Sequence, residues 1–138
     1  MESFDVFGEE AMVALGRVLA RRWAVGDVVF LHGELGAGKS TLVRGVVAEC
    51  GGPTVLRSPT YNLVQTFETD PPILHADLYR VISWQGIGIE DLIEDHLSLI
   101  EWPDRMVGLV ADTEAWRIDI EFLEEGRRVS VRAPKVSG

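Results

Sequence analysis

The chain has 138 residues, 46% of them apolar, with four tryptophans, one cysteine and a formal charge of -9 from 22 acidic and 13 basic side chains. That length builds one compact domain, residues 1–138, rather than two, and no low-complexity tract or internal repeat interrupts it. The acidic balance disfavours direct contact with nucleic acid or anionic membrane, Cys50 alone forms no internal disulfide, and the lack of a leader or membrane-length apolar run makes a cytoplasmic location the expectation.

Phe4 and Val6 alternate as a short first strand, and Glu9 to Arg22 carries Met12, Leu15 and Leu19 on one helical face. The acids in its first turn and Arg21-Arg22 at its end suit the helix dipole. Gly26-Asp27 turns into an apolar strand over 28–32, a glycine-rich loop follows, and the next helix runs from Lys39 to Glu49 before Gly51-Gly52-Pro53 stops it. Leu63 to Glu68 and Ile73 to Leu78 read as two strands. Their link, Thr69-Asp70-Pro71-Pro72, is too short for a parallel crossover and predicts an antiparallel hairpin. A helix is expected near Ile89 to His96, then a buried strand Leu97 to Ile100 and a short helix opening at Pro103. Trp116 to Leu123 and Arg127 to Arg132 alternate about Glu124-Glu125-Gly126 as a final hairpin.

The stretch Gly33-Glu34-Leu35-Gly36-Ala37-Gly38-Lys39-Ser40 follows the apolar strand directly and opens the second helix. Gly-x4-Gly-Lys-Ser in that setting is a phosphate-binding P-loop, and it points to a nucleoside triphosphate with magnesium. The glycines let backbone N–H groups turn inward on the phosphates, Lys39 adds a cation beside the β and γ oxygens, and Ser40 is placed to ligate the metal. Thr41 either reaches the α-phosphate or only caps the helix. Lysine occurs only at positions 39 and 135. The predicted class is therefore α/β: a three-layer, P-loop NTPase-like domain with a mixed central sheet and a C-terminal β-hairpin.

Asp77 and Glu101 each end an apolar strand, where sites in α/β sheets gather. A P-loop enzyme needs an acid to hold Mg²⁺ and a second polar group to orient or deprotonate water, so both are candidate catalytic and metal residues, with the division of roles open. Ser58-Pro59-Thr60-Tyr61 reads equally as a loop that senses the γ-phosphate through Thr60 or as a plain turn into a strand. No spacing among His32, His75 and His96 suggests a zinc site, and Trp102 either packs against the site or fills the core.

Four blocks in order, Gly33 to Thr41, Ser58-Pro59-Thr60-Tyr61-Asn62-Leu63-Val64, His75-Ala76-Asp77-Leu78-Tyr79-Arg80 and Leu99-Ile100-Glu101-Trp102-Pro103, resemble the TsaE family. The resemblance implies a small bacterial ATPase that assists threonylcarbamoylation of adenosine 37 (t6A37) in transfer RNAs. Such a protein docks on a complex of TsaB and TsaD, in which TsaD performs the transfer, and meets tRNA only through those partners. The resemblance places the family's lysine, magnesium hydroxyl, switch threonine, aspartate and glutamate on Lys39, Ser40, Thr60, Asp77 and Glu101, and implies that Arg127 helps hold ATP. Met12 stands where the family commonly has Thr, and Ala76 where it commonly has an aromatic.

A small-molecule kinase is the first alternative, but no arginine-rich lid insertion is visible. A GTP-operated switch usually carries Asn-Lys-x-Asp, and the single asparagine here is Asn62. A protein whose nucleotide is only structural is the third, to be separated by whether Asp77 and Glu101 face the phosphate loop.

Overall fold

The computed structural model describes residues 1–53 and 63–135. In chain order they form β1 (Glu2–Val6), α1 (Glu9–Ala20), β2 (Val28–Gly33), α2 (Lys39–Glu49), β3 (Val64–Phe67), β4 (Ile73–Asp77), β5 (Leu97–Glu101), β6 (Trp116–Phe122) and β7 (Arg127–Arg132). The strands make one sheet in the order β1-β7-β6-β2-β5-β4-β3. Its central pairings, β6 with β2, β2 with β5 and β5 with β4, are parallel. The margins are the two expected antiparallel hairpins, with β1 added antiparallel to β7. β5 is buried along its whole length, and β2 and β4 over their first four residues, as strands covered on both faces must be. The mixed α/β class is as the sequence predicts.

One face of the sheet, with Val29, Leu31, Ile73, Leu97 and Leu99, packs beneath α1 and α2. The other, with Val28, Phe30, Ala76 and Ile100, is covered by irregular chain that buries Leu78, Ile89, Met106 and Ala115. This layer holds the departures from the predicted elements among the described residues. Instead of a helix over Ile89 to His96 there are two 3₁₀ turns, Ile89–Asp91 and Ile93–Asp95. Eight residues fall short of the roughly 12–15 at which a helix begins to sustain itself in water. Glu90, Asp91, Glu94 and Asp95 also repel one another with no base in either turn, so burial of Ile89 decides the conformation. The segment opening at Pro103 is likewise a 3₁₀ turn, Pro103–Met106. No helix among the described residues is long and apolar enough to cross a membrane.

α1 and α2 meet backbone to backbone. A Cβ at Gly45 would lie 2.1 Å from the Val13 carbonyl oxygen, and one at Gly16 2.3 Å from that of Leu42. This contact fixes the axis of α2, and with it the loop that opens α2. Arg17 and Arg21 also reach Glu49 across the pair, at 3.2 and 2.9 Å, but exposed ion pairs of this kind add little. On the opposite face His32, at the end of β2, is half-buried and its Nε2 has no hydrogen-bond partner among the described residues. Burial holds its pKa below the ordinary 6.5, and the nearby Arg117 charge reinforces the shift while Asp119 opposes it.

Gly45→Ala forces the helices apart and should lower stability by about 1–3 kcal/mol in urea unfolding; an unchanged midpoint would contradict the backbone contact. His32 takes up a proton more readily unfolded than folded. Its contribution is therefore full above about pH 6.5 and is lost as the pH falls through its lower folded-state value. Melting curves between about pH 7 and pH 5 should show a shallower acid loss for His32→Phe than for the natural chain.

Candidate functional site

Parallel pairing brings the C-terminal ends of β2, β5 and β4 to one edge of the sheet. Asp77 lies opposite Glu101, and Leu31 lies opposite Glu101 from the other side. Because alternate residues of a strand share a face, Ile73, His75 and Asp77 point with Leu97, Leu99 and Glu101 towards the helical layer. That face is apolar where the strands begin and polar where they end. The polar ends come up beside the first turn of α2.

The loop between β2 and α2 is shaped by glycine and anchored by alanine. Gly36 and Gly38 have φ of 82° and 112°, values that side-chain-bearing residues rarely adopt. Between them Ala37 is buried and donates its N–H to the Glu34 carbonyl at 3.0 Å. Gly38 is the N-cap of α2, with no capping side chain and no acid in the first turn. Among the described residues the amide groups and positive end of the dipole thus have neither a capping side chain nor a first-turn acid, which favours anion binding.

Lys39 is only 6% exposed. Its Nζ donates to the Gly33 carbonyl at 2.6 Å and lies 4.6 Å from the centre of the Trp102 ring. Trp102 is the one non-glycine residue with positive φ among the described residues, at 59°. That turn folds the chain back just after Glu101, and Tyr79 supports the indole at 4.7 Å between ring centres. Trp102 thus packs against the lysine and also against the apolar cluster of the irregular layer, so it takes both of the roles the sequence left open.

A cavity of about 340 Å³ gathers Lys39, Ser40, Thr41, His75, Asp77 and Glu101. Asp77 accepts a hydrogen bond from the Tyr79 N–H at 3.1 Å through Oδ1. Glu101 Oε2 lies 2.7 Å from His75 Nε2, and both side chains are buried. A second cavity, of about 400 Å³, shares Gly36, Gly38 and Thr41 with the first and extends past Met12 to Arg127. Arg127 donates to the Gly126 carbonyl at 2.8 Å and stacks over Phe122 at 4.3 Å. Gly33 contributes its carbonyl to Lys39, and Ala37 lines the second cavity.

The structure thus assembles the phosphate loop, Lys39, Ser40, Thr41, Asp77 and Glu101 at one cavity and sets Arg127 at its neighbour. Thr60 and the Ser58-Pro59-Thr60-Tyr61 loop lie outside the described residues. His75 is the site residue the sequence reading passed over, having weighed it only as part of a zinc site. Its signal was the His-x-Asp spacing inside a strand, which sets both side chains on one face.

The family model described as threonylcarbamoyl adenosine biosynthesis protein TsaE matches residues 7–130. The tRNA threonylcarbamoyladenosine biosynthesis protein TsaE of Rickettsia felis is 36% identical over 126 residues, covering 88% of this chain and 73% of that protein. The protein of the same name from Streptomyces coelicolor is 34% identical over 131 residues, covering 87% and 88%. The crystal structure of Bacillus subtilis YdiB has the same fold, with a TM-score of 0.81 at 22% identity over 97% of this chain and 86% of that one. Since the family match runs from the start of α1 into β7, across the phosphate loop, both acids and Arg127, the chain belongs to the TsaE family of tRNA threonylcarbamoyladenosine biosynthesis proteins.

Proposed function

We propose that this protein is a magnesium-dependent ATPase that serves t6A37 modification of tRNA as an accessory subunit of a TsaB–TsaD transferase complex. The observation that carries the reading is the single cavity in which Lys39, Ser40, Asp77 and Glu101 meet at the N-terminal end of α2.

Each part of that cavity has a task in holding a metal-bound polyphosphate. The backbone amides of Gly38, Lys39 and Ser40 at the start of α2 and the Lys39 ammonium take the β and γ oxygens. In doing so they give Lys39 a charged acceptor in place of the neutral Gly33 carbonyl. Ser40 with Asp77 and Glu101 is an all-oxygen donor set, the kind Mg²⁺ prefers, and two carboxylates beside one ammonium leave negative charge for a cation. Bound magnesium would neutralise charge on the phosphates during transfer. The acid not engaged by the metal is within the same cavity to orient water. Thr60 is assigned to sensing the γ-phosphate.

The neighbouring cavity is of a size to take ribose and adenine, with Thr41 between the two and Arg127 at the far wall. Met12 lines this second space, so an apolar side chain meets the nucleoside where the family commonly has Thr. The acidic charge of the chain fits an assembly in which TsaB and TsaD, rather than this subunit, grip the tRNA.

Hydrolysis by the isolated chain should be slow and should rise when TsaB and TsaD are added, in step with tRNA modification; equal turnover with and without them would overturn the accessory role. In calorimetry Lys39→Ala should weaken ATP binding about 10- to 100-fold, the worth of a charge-assisted hydrogen bond. Glu101→Ala should retain binding while slowing turnover about 100-fold or more. Normal binding and turnover in Lys39→Ala would remove the site.

A further inference from the structure

We propose that His75 is a positioning residue for Glu101, holding one carboxylate oxygen so that the other faces the cavity; this role rests on the ATPase reading above. The hydrogen bond between His75 Nε2 and Glu101 Oε2 is 2.7 Å long, and the two residues are 4% and 7% exposed. An ionised carboxylate can only accept, so the proton of this bond sits on Nε2. That makes Nε2 the donor and commits Oε2 to the histidine. Oε1 is left for a metal or for water.

The strand frame makes the contact a fixture. His75 is in register with Leu99 and Asp77 with Glu101, so the histidine stands diagonally behind the glutamate on the same face of the sheet. Neither backbone can slide without shifting the parallel ladder of β4 and β5. Of the other charged groups in the cavity, Lys39 is engaged by Gly33 and Trp102, and Asp77 accepts from the Tyr79 N–H. Among the described residues His75 is the only side chain that hydrogen-bonds the Glu101 carboxylate. A glutamate has three rotatable bonds, and without this bond Oε1 would sample several directions. Outer hydrogen bonds of this kind to functional carboxylates are worth about 10- to 100-fold in activity or metal affinity.

The test compares His75→Leu, which removes the donor, with His75→Gln, whose amide can donate from nearly the place of Nε2. Turnover is measured with TsaB and TsaD present, ATP affinity by calorimetry, and folding by melting curves. His75→Leu should lose about 10- to 100-fold in turnover with ATP affinity within about threefold, and His75→Gln should recover most of the loss. Nitrogen-15 NMR of the imidazole gives a readout independent of activity. The natural chain should show an Nε2–H resonance with the shift and slow exchange of a donated hydrogen bond, and Glu101→Leu should lose them. Turnover in His75→Leu equal to the natural chain would overturn the role, as would a Gln variant no better than Leu. A parallel fall in affinity and turnover would show a structural part only and would also overturn it. If the natural chain hydrolyses no ATP even with both partners, the ATPase reading fails and this role with it. If it hydrolyses ATP and His75→Leu matches it, the positioning role alone fails.

Discussion

Parallel pairing of β2 with β5, and of β5 with β4, is the constraint on which the rest depends. Their apolar residues are covered on both faces, by helices on one and by irregular chain on the other, as parallel strands require. Running the same way, they end together. The residues that end them, Gly33, Glu101 and Asp77, become neighbours although up to 68 positions separate them in the chain, counted from 33 to 101. Nothing in the local chemistry of an aspartate or a glutamate would bring them to a phosphate loop without that ladder.

The second requirement is that the loop meet these ends from above at a fixed height. Here the close contact of α1 with α2 matters, because a helix held backbone to backbone at Gly16 and Gly45 has little freedom to tilt. Its N-terminus, free of acids, offers positive potential, and the strand ends offer two carboxylates a few residues away in space. Anion-seeking and cation-seeking groups then line one cavity in a chain whose overall charge is -9. A magnesium polyphosphate, itself a cation lodged among anions, is the ligand we propose because it would satisfy both at once.

Much of this was legible because it is written in short-range patterns. The bounds predicted for α2, Lys39 to Glu49, are those observed, since the glycine loop starts the helix and Gly51-Gly52-Pro53 ends it. The four-residue link at 69–72 made a hairpin the available connection between β3 and β4. The segment 89–96 misled for the same reason. Its apolar spacing satisfies a helical period, yet length and repelling acids leave two 3₁₀ turns, and it is the burial of Ile89 against the sheet that places them. The order of strands was not legible either, because β6 reaches its parallel place beside β2 across most of the chain.

The sequence by itself determined the phosphate-loop motif from which we propose the ligand, since such a loop is a contiguous run whose glycines, lysine and serine act through their own backbone and first helical turn. Only the tertiary structure decided that His75 grips Glu101, that Trp102 lies over Lys39 and that Arg127 closes a second cavity beside the loop. Each of those contacts joins residues from different strands or turns. Their meeting depends on sheet register and strand order, which arise from how apolar faces pack and not from any spacing along the chain.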